Sequence, residues 1–293
     1  MARVSGVLSV RTECEGGDVA TETEINPTFW LDGTTHLVLL IHGFNNDVNE
    51  ARESFRTMTE LLPDRFPKIG WVYWPGDADL GWFDFLDFVS YPTEIIDAQG
   101  SAELLAGTLR QFNKLNPGAE VTLVGHSLGC RLISECLDIM MRQSDSERPS
   151  IHAVVFLAAA VPVDLAESGE DLGDALRSLV PEGYVFYSED DIVLHYAFPA
   201  GQTLAAAMGY ENEIYLEPVG RHGNPRDVFP QAPVNCSGNG HGSYWNDPKV
   251  IWQIADLGGA VLPRATESRS TPADHQTPSW DLPRWSHGNC WLF

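Results

Sequence analysis

Apolar and polar positions fall along this chain in two repeating textures. His36-Leu37-Val38-Leu39-Leu40-Ile41, Ile69-Gly70-Trp71-Val72-Tyr73-Trp74, Val121-Thr122-Leu123-Val124 and Ile151–Ala158 are almost continuously apolar, as strands covered on both faces must be. Between them apolar residues recur at three-and-four spacing, which places them on one side of a helix. The stripes are Val48, Ala51, Phe55, Met58 and Leu62; then Ile95, Ala98, Ala102, Leu105, Leu109 and Phe112; then Leu128, Leu132, Cys136 and Met140 beside Ile133 and Leu137. Punctuation agrees with the pattern. Asp47 with Glu50 three positions on reads as a capping box, Pro63 ends the first helix, Pro75-Gly76 closes a strand, and Asn116-Pro117-Gly118 ends a helix running from Glu94 to Leu115.

Weaker patterns fill the rest. Strands are expected at Arg3–Thr12, Thr23–Leu31, Tyr184–Tyr187 and Glu213–Leu216, and helices over 164–180 and Asp247–Leu257. Repeated apolar strand, loop and amphipathic helix predict an α/β fold with a mostly parallel central sheet and helices on both faces. In such folds reactive groups gather beyond the carboxyl ends of the strands.

At one of those ends stands Gly125-His126-Ser127-Leu128-Gly129, with a strand before it and a helix directly after. Two glycines bracket a turn too tight for side chains that would strike the neighbouring strand and helix, and Ser127 is lifted out at its tip. The N–H of Leu128 lies in the first helical turn, where amide donors lack partners and the helix dipole favours negative charge. A hydroxyl nucleophile beside half of an oxyanion hole is the chemistry this spacing suits.

Composition narrows the setting. With 293 residues, 43% of them hydrophobic, residues 1–262 suffice for one large core. From Pro263 the texture changes: residues 263–293 hold four prolines, many Ser and Thr and no apolar period, yet also Trp280, Trp285, Trp291 and Phe293. That stretch is expected to be a flexible or surface-draped tail. A formal charge of −23 disfavours nucleic acid and anionic surfaces as partners. No run of about 18 apolar residues spans a membrane, and the broken apolar start is no signal peptide, so a cytoplasmic setting is expected. Cys14, Cys130, Cys136, Cys236 and Cys290 are odd in number and lack metal spacing. Neither a disulfide framework nor a metal site is expected, and Cys130 and Cys136 read as small buried thiols.

Ile41-His42-Gly43-Phe44, Gly125-His126-Ser127-Leu128-Gly129, an acidic turn after a late strand and His241-Gly242-Ser243-Tyr244-Trp245 together resemble the α/β-hydrolase superfamily over roughly residues 36–258. The opening Ile-His-Gly-Phe-Asn is similar to a bacterial group of α/β hydrolases whose substrates are undescribed. The resemblance implies the chain order nucleophile, acid, histidine. It assigns the acid to Asp191, with adjacent Asp190 and earlier Asp164 as alternatives, and the histidine to His241, whose flanking glycines suit a mobile loop, with His222 as fallback. The oxyanion donors would be the backbone N–H groups of Phe44 and Leu128. His42 and His126, beside the catalytic turns, are expected to make structural hydrogen bonds.

The aromatic stretch Leu80–Tyr91 follows a strand end. Trp82, Phe83, Phe85 and Phe88 there either bind the apolar part of a substrate, as pocket or lid, or fill core beneath a loop. The implied activity is a serine hydrolase cleaving a small-molecule or lipid-like ester through an acyl-enzyme, with no cofactor. The same residues would serve a thioesterase, amidase or acyltransferase, and a silent scaffold that binds a partner is the reading from another class.

Overall fold

The computed structural model describes residues 4–12, 17–28, 30–44, 48–63, 67–76, 90–225 and 227–259. Asp47, Cys14, Cys290, the aromatic stretch with Trp82, Phe83, Phe85 and Phe88, and the tail 263–293 lie outside the described residues.

Among the described residues eight strands form one sheet: β1 (Val4–Arg11), β2 (Val19–Asn26), β3 (His36–Ile41), β4 (Lys68–Tyr73), β5 (Glu120–His126), β6 (Ser150–Leu157), β7 (Glu182–Tyr187) and β8 (Val234–Asn235). Their spatial order is β2-β1-β4-β3-β5-β6-β7-β8. Among these strands only the β1–β2 pair is antiparallel. The strands whose sequences are continuously apolar, β3, β5 and β6, occupy the middle, where both faces are covered.

The helices of the described residues are α1 (Val48–Leu61), α2 (Tyr91–Leu115), α3 (Leu128–Met141), α4 (Val163–Ala166), α5 (Asp171–Leu179), α6 (Phe198–Met208), α7 (Val219–His222) and α8 (Pro248–Leu257). The chain moves from β3 leftward through α1 to β4, and from β5 rightward through α3 to β6. With right-handed crossovers, opposite directions of travel put those helices on opposite faces. A crevice therefore opens between β3 and β5, beyond their carboxyl ends. Register keeps those ends level: Ile41 pairs with Gly125, and His126 with Leu157. Among the described residues no helix is long and apolar enough to cross a membrane.

Several elements differ from the sequence expectation, each for a local reason. β2 runs Val19–Asn26 rather than 23–31, because Pro27 has no N–H to continue the ladder. Trp30 instead turns inward onto Gly6 and Gly70, where a Cβ would stand 2.4 Å from its ring. α2 begins three residues early, at Tyr91, with Pro92 in its first turn. The expected helix over 164–180 is two, α4 and α5, parted by Gly169 at φ +102°. Glu213–Leu216 is not a strand: Ile214 and Leu216 are each 56% exposed, and the sheet edge is taken by β8 instead. A π-helical turn, Val193–Ala197, and α6 occupy residues for which no element was expected. Pro199 at the start and left-handed Gly209 at the end of α6 are the signals that mark it.

Candidate active site

Ser127 sits between β5 and α3 at φ 51°, ψ −123°, a conformation costly for a residue with a side chain. Neighbouring backbone holds it there. Its N–H donates to the Leu157 carbonyl at 2.9 Å, and its carbonyl accepts from Cys130 at 3.0 Å and Ala160 at 3.1 Å. The bracketing glycines are required by close approach. A Cβ on Gly129 would lie 2.3 Å from the His42 carbonyl oxygen, and one on Gly125 would lie 2.7 Å from Ile133. α3 is thereby drawn against the end of β3, with Leu128 as its first residue. Its N–H has no carbonyl four residues back within the helix.

The loop after β3 comes equally close from the other side. A Cβ on Gly43 would lie 2.7 Å from Cβ of Ser127, so Phe44 directly follows a residue that packs close to Ser127. His42 anchors this loop. Its Nδ1–H donates to the Gly43 carbonyl at 2.9 Å, and its Nε2 accepts from the Trp74 N–H at 3.2 Å, which fixes the neutral tautomer. Burial pushes the His42 imidazole down to about 3. Trp74 in turn stacks on His42 and donates from its indole to the His42 carbonyl at 2.9 Å. The Phe44 ring meets Tyr91 edge-on at 6.2 Å, and Tyr91 meets Phe198 of α6.

Of the candidate acids, the structure brings Asp191 to the serine. The turn after β7 directs it inward, with the Asp191 N–H donating to the Ser188 carbonyl at 3.2 Å. Its carboxylate is fully buried. Oδ1 accepts from the Leu194 N–H at 3.0 Å, and Oδ2 lies 2.8 Å from Nδ1 of His241. Burial alone would raise this carboxyl. The hydrogen bond and charge of His241, with the Leu194 N–H, outweigh that and hold it below the ordinary carboxylate range. Asp190 points elsewhere and accepts from the Gly238 N–H at 3.0 Å. Asp164 is exposed on α4.

Nε2 of His241 lies 2.9 Å from Oγ of Ser127. The three side chains thus form one continuous hydrogen-bonded line. His222, the alternative, stands exposed at the end of α7, 3.9 Å from Glu217. The loop bearing His241 is more tied than its glycines suggest. Asn239 donates to Asp247 at 2.8 Å, Tyr244 and Trp245 are buried behind it, and Trp245 packs edge-on against Phe55. His126 adds a bond, Nε2–H to the His241 carbonyl at 2.7 Å, whose particular partner its sequence position could not reveal. Burial, joined by the neighbouring His241, pushes the His126 imidazole down to about 3, so it stays neutral.

Among the described residues no group of three or more His, Cys, Asp or Glu side chains is placed to hold a metal ion. Cys130, Cys136 and Cys236 are buried thiols, and burial raises all three.

The family model described as "Alpha/beta hydrolase of unknown function (DUF900)" matches residues 18–201, more than half of the chain. The chain belongs to this α/β-hydrolase family. The match includes Ser127 and Asp191 and stops before His241. A comparison with curated proteins returned no significant match. Solved structures similar to this family member include a "predicted CIB-like hydrolase" from Thermoplasma acidophilum, at 14% identity and TM-score 0.41, covering 78% of this chain and 88% of that one. The catalytic core domain of acetyl xylan esterase from Trichoderma reesei is similar at 12% identity and TM-score 0.40, over 77% of this chain and 98% of that one. A cutinase-like protein from Cryptococcus sp. is similar at 12% identity and TM-score 0.41, over 78% and 97%.

Proposed function

We propose that this α/β-hydrolase family member is a serine hydrolase that cleaves a carboxylic ester in two steps. The observation that carries the reading is the line from Asp191 through His241 to Ser127, at 2.8 and 2.9 Å. A serine hydroxyl is a weak nucleophile until an imidazole takes its proton, and the imidazole needs a carboxylate to hold its tautomer and stabilise its charge.

Oγ of Ser127 attacks the ester carbonyl carbon while Nε2 of His241 accepts the hydroxyl proton. Negative charge gathers on the former carbonyl oxygen, where the N–H groups of Phe44 and Leu128 are the assigned donors. Buried Asp191 accepts from Nδ1–H and stabilises the imidazolium without taking the proton. Collapse of the tetrahedral species breaks the ester C–O bond, and His241 gives its proton to the leaving alcohol. Water then attacks the acyl-enzyme carbonyl with its proton passing to His241, the acyl C–Oγ bond breaks as His241 returns that proton to Oγ of Ser127, and the acid leaves. The low-lying Asp191 carboxyl keeps its charge through this cycle at neutral pH.

The test is a p-nitrophenyl ester assay beside labelling with a fluorophosphonate. Ser127→Ala is expected to lower kcat by about 10⁴–10⁶ and to abolish labelling while leaving the melting curve intact. Undiminished turnover in that variant removes the assignment.

A further inference from the structure

His241 stands outside any ladder. It lies between β8 and the 3₁₀ turn Ser243–Asn246, flanked by Gly240 and Gly242, a stretch with little intrinsic preference for one backbone course. Its side chain nevertheless has to meet Ser127 at hydrogen-bond distance. Anchors on either side, Asn239 to Asp247 and buried Trp245, limit the loop but do not touch the main chain of residue 241.

The group that does is His126. It is the last residue of β5, immediately before Ser127, and is 4% exposed. Its Nε2–H donates to the His241 carbonyl at 2.7 Å. The ring is packed against Gly43 on one side, where an added Cβ would lie 2.9 Å from Nδ1, and against Trp245 at 5.5 Å on another. One strand end thus presents the candidate nucleophile and, one residue earlier, a donor that grips the backbone of its partner. The Ser127–His241 distance is set across two adjacent residues, the last of β5 and the one that follows it.

We propose that His126 is a positioning residue: its Nε2–H holds the main chain of His241 so that the imidazole of His241 faces Ser127. The inference rests on the serine-hydrolase reading for its catalytic meaning. The bond itself can be judged without that reading. Neutrality of His126 is part of the device. The two imidazole centroids are 4.9 Å apart, and a charged ring there would oppose the imidazolium that His241 forms on taking the serine proton.

A packing role and a positioning role separate by substitution. His126→Phe keeps a ring of similar shape and loses the donor. His126→Gln loses the ring and keeps an amide N–H at nearly the reach of Nε2, whereas His126→Asn places its amide too short. Each variant is assayed on p-nitrophenyl acetate, by its rate of fluorophosphonate labelling, by melting, and by amide hydrogen exchange over residues 238–245. The Phe and Asn variants are expected to lose about 10–100-fold in kcat with KM little changed, to label proportionately more slowly, and to exchange faster over that loop. Gln should recover most of the kcat and of the exchange protection. The proposal falls if the Phe variant keeps wild-type kcat, if Gln falls as far as Phe, or if loop exchange is the same in all. Wild-type protein that neither turns over nor labels at Ser127 overturns the hydrolase reading instead, and the exchange comparison still decides whether His126 holds the loop.

Discussion

Asp190 and Asp191 differ by one position in sequence and by their whole surroundings in space. Asp191 is fully buried between the Leu194 N–H and His241, while Asp190 accepts from Gly238. The turn that starts at Ser188 decides which one faces inward, and nothing in the pair's own chemistry does. Asp191→Asn would keep the shape, but the Leu194 N–H would hold the amide oxygen and leave the NH₂ facing Nδ1, favouring the wrong tautomer of His241. It is expected to lower kcat by about 10⁴ with little change in KM, read by steady-state kinetics on a p-nitrophenyl ester. Gly-His-Ser-Leu-Gly was legible as a tight strand-to-helix turn because strand and helix patterns flank it closely. The bond from His126 to the His241 carbonyl was not, since its partners are 115 residues apart.

At the scale of elements, the closest contact is between α3 and the end of β3. A methyl on Gly129 would meet the carbonyl oxygen of His42 at 2.3 Å, and backbone cannot step aside as a flexible side chain can. Gly129→Ala is therefore expected to push α3 away from the loop after β3 and to cost more stability than the usual gain of an alanine in a helix, measured by denaturant unfolding. α3 also carries Arg131, which is 4% exposed and bridges Glu135 at 2.7 Å and Glu211, just past α6, at 3.1 Å. Arg131 and Glu135, four residues apart, share a side of α3 that is not its stripe of Leu128, Leu132, Cys136 and Met140. The fold buries Arg131 there and brings Glu211 to it from the segment after α6, an element the periodicity did not predict. Removing the cation leaves carboxylates in a largely dry contact, so Arg131→Met should destabilise by about 3–5 kcal/mol in urea unfolding. The Ala-rich run of α6 carries too little amphipathic contrast to stand out, and its place is decided by what it covers.

For the molecule as a whole, two buried neutral histidines couple the site to acid stability. His42 and His126 have folded values pushed down from the ordinary 6.5 to about 3 by burial. Below about pH 6.5 the unfolded chain takes up protons at both and the folded chain does not, so stability falls as pH falls, until the folded groups themselves titrate near 3. Each should cost about 2 kcal/mol between pH 6.5 and 5, seen as a lowered midpoint in guanidinium titrations at the two pH values. His126→Gln should shrink that difference by about half of the pair's contribution. The sequence by itself determined the architecture, because continuous apolar runs are stable only inside a covered parallel sheet and the three-and-four stripes only on its faces. It also determined the tight strand-to-helix turn at Ser127, whose glycines, strand and helix are all local. Tertiary structure alone decided which carboxylate and which histidine reach Ser127, where the last strand pairs, and what Arg131 is buried against. Those choices depend on the register of loops and on contacts between residues far apart along the chain, and no local pattern of side chains encodes the direction in which a loop residue points.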